Sequence, residues 1–151
     1  MAKAKNLGSV LLAAGFAVAV TSAAFAADVI KERKALMKAV GGATKASAAM
    51  VKGEAKFDAA KAAKAMKTIA DGAPKFAKMF PANSKTGGET TAAPKIWTDM
   101  KDFVARMDKF RADAAAAEKA AGAGEAAFKT AFAAMAKNCK GCHDVYRVKK
   151  K

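Results

Sequence analysis

At 151 residues the chain has room for one domain around a single core, and its abundant alanine and sparse β-branched residues exclude a sheet-rich fold. Its 28 Lys and Arg against 13 Asp and Glu give a formal charge of +15, a balance that fits either solvated helix faces or steering toward an acidic partner. No basic-aromatic stacking pattern is present, so nucleic acid is not the expected target.

Lys3 and Lys5 precede an uncharged run from Leu7 to Val20, and Ala24-Phe25-Ala26 follows with small residues at the first and third positions. That order is the signature of an export signal, with cleavage expected after Ala26. Residues 1–26 are thus a signal peptide and residues 27–151 a single mature domain. The run is too short and too rich in small residues for a spanning helix, and no later segment is apolar enough to cross a bilayer, so stable membrane insertion is not expected.

The mature sequence reads as four amphipathic helices. The first runs from about Asp28, as N-cap, to about Val51, with Gly41-Gly42 a costly interruption that suggests close approach by a ring or another helix. The second starts at Asp58 as N-cap, turns Met66, Ile69, Ala73 and Phe76 inward, and should kink or end at Pro74, reaching about Met79. Residues 81–93 form a polar, glycine-containing loop. Pro94 opens a third helix whose apolar positions Ile96, Met100, Phe103, Met107, Phe110 and Ala114 step by four and three. After Ala121-Gly122-Ala123-Gly124 the fourth runs from about Glu125 to about Lys149, with Phe128, Phe132, Met135, Cys139, Cys142 and Tyr146 on one stripe. Four such helices with one longer central connection predict an all-α, antiparallel up-down-up-down four-helix bundle with a cofactor held between helices.

Both cysteines of the chain fall in Cys139-Lys140-Gly141-Cys142-His143, and His143 is the only histidine. C-x-x-C-H is the spacing at which two thiols add to the vinyl groups of one haem while the next residue's imidazole reaches the iron. A thioredoxin-like redox pair would open a helix after a strand, and a closed zinc site needs about four ligands; neither context fits here. Haem c, covalently attached through Cys139 and Cys142 with His143 as axial iron ligand, is the expected cofactor. The motif is expected on the buried face of the last helix.

The occupant of the sixth iron position separates an electron carrier from a gas binder. Arg33, Met37, Val40 and Thr44 share one helix face, so a thioether that can reach iron and a guanidinium that can meet a propionate project together. The same face could equally be core with an arginine reaching out to water. Tyr146 reads as a packed aromatic with a wet hydroxyl, and Trp97 as a packing residue. Arg147, one turn beyond His143, is a candidate propionate or proximal contact, or a complement to the helix C-terminus.

Arg33-Lys34-Ala35-Leu36-Met37-Lys38-Ala39-Val40-Gly41-Gly42, then Lys52-Gly53-Glu54 with Phe57-Asp58, Phe80-Pro81, Pro94-Lys95-Ile96-Trp97 and Cys139-Lys140-Gly141-Cys142-His143-Asp144-Val145-Tyr146-Arg147 together resemble a class II cytochrome c over the whole mature chain. The resemblance implies a periplasmic protein of a Gram-negative bacterium, with one haem near the end of the bundle and His143 as proximal ligand. It is most similar to the low-spin cytochrome c-556 type, which has methionine at the first-helix position that Met37 matches; Leu36 would face the iron if the register differed. Arg33 matches the arginine that the family uses near a propionate. The implied function is one-electron transfer in a class where homodimers are common; the basic charge points to an acidic redox partner, and without a second histidine as a distal acid-base group no enzymatic activity is expected. The alternative is a five-coordinate, high-spin iron of the cytochrome c′ type that binds NO or CO.

Overall fold

A computed structural model describes the backbone of residues 17–148 and the side chains of residues 25–148. The run beginning at Leu7 therefore lies mostly outside the described residues, and so does the expected end of the last helix at Lys149. Five helices follow in order: α1 Ala17–Val51, α2 Ala59–Ala77, α3 Lys95–Thr98, α4 Met100–Gly122 and α5 Glu125–Tyr146. The four long ones form the bundle and α3 is a one-turn spur.

Helix α1 starts before Asp28, which is an interior residue rather than an N-cap, and passes through Gly41-Gly42 without a break. Neither glycine is there for a neighbouring helix: a Cβ built on either would meet nothing within 4 Å. The close approach lies at Gly72 of α2, where an added Cβ would sit 3.2 Å from Leu36 Cδ1 of α1. Asp58 caps α2 as expected, its Oδ1 accepting from Lys61 N–H at 2.9 Å. Pro74 sits inside α2, which runs one further turn and stops at Ala77.

The expected third helix is two pieces. At Asp99 the backbone leaves helical geometry (φ −138°, ψ 48°). Pro94 sits at the entry to α3, where Ile96 is buried and Trp97 Nε1–H donates to the Pro81 carbonyl at 3.2 Å. These contacts turn α3 onto the central loop, and α4 then resumes along the bundle with Phe103, Met107, Phe110 and Ala114 buried.

Helix α5 ends at Tyr146, short of Lys149, because the chain beyond it turns extended and pairs with the loop. Ala93 N–H donates to Tyr146 O, and Val148 N–H to Thr91 O, both at 2.9 Å. Helix α2 packs broadly on α4 and α1, and α4 on α5, whereas α1 and α5 scarcely touch. Phe103, Phe128, Met66, Ile69 and Met135 fill the shared core without exposure. The space that α1 and α5 leave between them is the functional feature of the fold.

Candidate functional site

A cavity of about 1000 Å³ opens between α1 and α5, at the upper end of the size range of cofactor sites. Arg33, Met37, Cys139, Cys142, His143 and Arg147 all line it, so the structure brings together the six candidate haem-site residues, while Trp97 and Leu36 lie outside its lining. Its deeper wall is apolar, made by Phe76 and Phe80 from the α2 side and Phe103, Met107 and Phe110 from α4. These aromatics interlock edge to face: Phe80 lies 4.9 Å from Phe103, and Phe103 5.2 Å from Tyr146, centroid to centroid.

The C-x-x-C-H turn is less buried than its place on the stripe suggested. Cys139 and Cys142 are half-buried and His143 is exposed. The reason is geometric: His143 lies 100° around the helix from Cys142, which carries it off the core stripe toward the mouth. Burial pushes both thiols up from their ordinary pKa, the opposite of the depressed thiol a redox pair requires. Burial, aided by Arg147, lowers the His143 pKa, which favours the neutral imidazole that a metal ligand must be.

On the opposite wall the register of α1 is clear. Met37 is half-buried and lines the cavity, while Leu36 turns to α2 against Gly72. Arg33, only 4% exposed, donates from Nε to the Met79 carbonyl at 2.5 Å and from both terminal nitrogens to the Ser84 carbonyl at 3.2 and 3.3 Å; it also bonds the Ser84 hydroxyl. Its guanidinium lies 4.2 Å from the Phe80 centroid and 5.5 Å from that of Trp97. No carboxylate among the described residues pairs with it, which is unusual for a buried cation.

Sequence reasoning missed a bracket around the motif. Tyr146 O–H donates to Asp102 Oδ2 at 2.5 Å, Arg106 Nε–H donates to the same oxygen at 2.6 Å, and Arg106 Nη1–H reaches the Gly141 carbonyl at 3.0 Å. The Tyr146 hydroxyl is thus bonded rather than wet. Asp102 and Arg106 of α4 hold α5 at both ends of the segment that contains Cys142 and His143. Their i, i+4 spacing was the one signal in the sequence, and it is shared by ordinary surface pairs.

Residues 28–147 match the family described as Cytochrome C'. The chain belongs to the cytochrome c′ family. It is 50% identical over 145 residues to a cytochrome c′ of Rhodopseudomonas palustris, covering 95% of this chain and 93% of that one. It is 37% identical over 148 residues to a cytochrome c-556 of Agrobacterium fabrum, covering 98% of each. The solved cytochrome c′ structure from Rhodopseudomonas palustris superposes with a TM-score of 0.76 at 48% identity, covering 82% of this chain and 98% of that one. The cytochrome c′ from Shewanella frigidimarina gives 0.75 at 36%, covering 81% and 95%. The protein is therefore a class II cytochrome c, a four-helix bundle with one covalently attached haem c. Overall identity is higher to the relative named cytochrome c′ than to the c-556, so overall similarity does not favour the c-556 type.

The donor set fits the group. Two thiols and an imidazole lie on one wall, a thioether on the facing wall, apolar rings between them, and at the edge a buried cation that no carboxylate among the described residues pairs.

Proposed function

We propose that this family member is a periplasmic one-electron carrier in which Cys139 and Cys142 hold the haem, His143 is the proximal ligand and Met37 the distal one. The observation that carries the reading is the register of α1: the thioether of Met37, not the side chain of Leu36, lines the cavity opposite the C-x-x-C-H turn. The bound haem supplies the one-electron couple of its iron. Met37 would hold that iron from α1 and, as a thioether, would favour its reduced state relative to a nitrogen ligand. Arg33 presents a buried positive charge that a propionate would pair, while its bonds to Met79 and Ser84 fix it to the central loop. Arg147 contributes a second cation beside His143. Export is supported by the family match, which starts at residue 28, just past the expected cleavage point.

The specific observation favouring the second reading, a five-coordinate iron open to NO or CO, is the 50% identity to a protein named cytochrome c′. One pair of spectra separates the two. The ferric wild type should be low-spin with a sulfur-to-iron charge-transfer band, and Met37→Ala should abolish that band and become high-spin, whereas Met107→Ala, the other cavity thioether, should retain it. A wild type that is high-spin and binds CO readily would replace the carrier by the gas binder.

A further inference from the structure

The residues that line the cavity and are also exposed mark its mouth. On the α1 side these are Lys34, Lys38, Gly41 and Lys45, spaced i, i+4, i+7 and i+11, a row one residue around the helix from Arg33, Met37, Val40 and Thr44. Exposed Arg147 faces them from the end of α5. The acid at this rim is Glu89, which pairs with Lys34 at 3.8 Å. Along α1 no acidic residue lies between Glu32 and the helix end at Val51, a stretch that carries Arg33, Lys34, Lys38 and Lys45. The other long helices instead interleave their cations with acids, as in Lys67–Asp71, Lys109–Asp113 and Lys140–Asp144.

Gly41 interrupts the lysine row at its centre. A glycine inside a helix costs roughly 0.5–1 kcal/mol relative to alanine, and no protein atom lies near enough to require it. What its missing side chain leaves open is the cavity itself.

We propose that this row, open at Gly41, is the docking surface for the acidic face of a one-electron redox protein, and that electrons enter and leave there. The proposal rests on the reading that the cavity holds the haem, but not on Met37 being a ligand. The step is a single electron transfer: ferrous iron becomes ferric, the oxidised partner gains that electron, and no bond or proton need change. Lysines around the opening raise the local concentration of an anionic partner and orient it toward the cofactor.

The test uses the ferrous holoprotein oxidised, in stopped flow at low ionic strength, by two small reagents of opposite charge, hexacyanoferrate(III) and tris(phenanthroline)cobalt(III). Lys38→Glu/Lys45→Glu should slow the anionic oxidant by about tenfold and speed the cationic one, with the difference vanishing at high salt. Lys119→Glu/Lys129→Glu, the same change in net charge around the turn that joins α4 to α5, should alter neither by more than about twofold. Gly41→Leu should slow both oxidants alike, and wild-type rates there would remove Gly41 from the route. Poly-L-glutamate, as a mimic of an acidic face, should bind the ferric wild type and the Lys119/Lys129 variant by calorimetry, and not the Lys38/Lys45 variant. If the two double variants behave alike, charge acts only globally and the docking surface is refuted. A purified protein with no Soret band would instead refute the haem reading on which the proposal depends.

Discussion

Met37 and Leu36 show what a residue-level reading can and cannot settle. Thiol, imidazole and thioether chemistry singled out the site residues, but periodicity assigns a helix face only to within a residue, and adjacent side chains differ by 100°. Packing against Gly72 decides the register. The glycines were legible as anomalies and not as causes, because glycine has no side chain to carry a pattern. Their environments now give opposite expectations. Gly72 is buried between α1 and α2, and branched carbons there would collide with Leu36 and Val40. Gly72→Val should therefore destabilise by roughly 1–3 kcal/mol. Gly42 is exposed in mid-helix with nothing near its absent Cβ, so Gly42→Ala should stabilise by about 0.5–1 kcal/mol. Urea unfolding of the two holoproteins checks both signs; a Gly72→Val protein as stable as the wild type would show that the α1–α2 spacing is not set at Gly72.

At the scale of elements, stripes at helical spacing made α2, α4 and α5 legible, with their buried faces as observed. What the stripes could not show was where an element stops for tertiary reasons. Helix α5 ends at Tyr146 because the residues beyond it pair with 91–93, and α3 separates from α4 because Ile96 and Trp97 pack on the loop. The Asp102–Arg106–Tyr146 bracket belongs to the same class, since Tyr146 lies 44 residues from Asp102, and Gly141 35 from Arg106, so they meet only in the fold. It has a pH signature. Bonds from Tyr146 first, and then Arg106, hold the Asp102 pKa below its ordinary value, so this stabilisation is complete above the usual carboxylate range near pH 4 and is lost as pH falls through the lower folded value. Burial, and then the bond to Asp102, push the Tyr146 phenol above its ordinary value. That contribution is complete below about pH 10 and is lost as the phenol ionises at higher pH. The wild type should accordingly exceed Asp102→Asn in stability at pH 6, with the margin narrowing at pH 3; parallel urea curves at the two pH values would rule out an Asp102 contribution.

For the molecule as a whole, the decisive question is which part of α1 belongs to the working protein. The helix is continuous through the expected cleavage point at Ala26, yet the contacts on the two sides of that point differ in kind. Before it, Phe25 is 56% exposed, a poor place for a large apolar side chain. Ala26 is buried, but its near neighbour is a loop glycine, Gly87, 3.1 Å from its Cβ when a Cβ is placed there. After it come the residues that tie α1 to the fold: Ile30 beside Gly88, Arg33 on Met79 and Ser84, then Val40 and Met50 in the core. Of the two leader side chains that the structure describes, Phe25 and Ala26, removal takes one small buried one and none that lines the cavity. Protein recovered from a periplasmic extract should begin at Ala27 and have, by intact mass spectrometry, the mass of residues 27–151 plus one haem, with thermal stability independent of the leader. A mass that includes residues 1–26, or release only with detergent, would make the N-terminal segment a retained anchor, and would place the bundle at a membrane surface rather than free in the compartment.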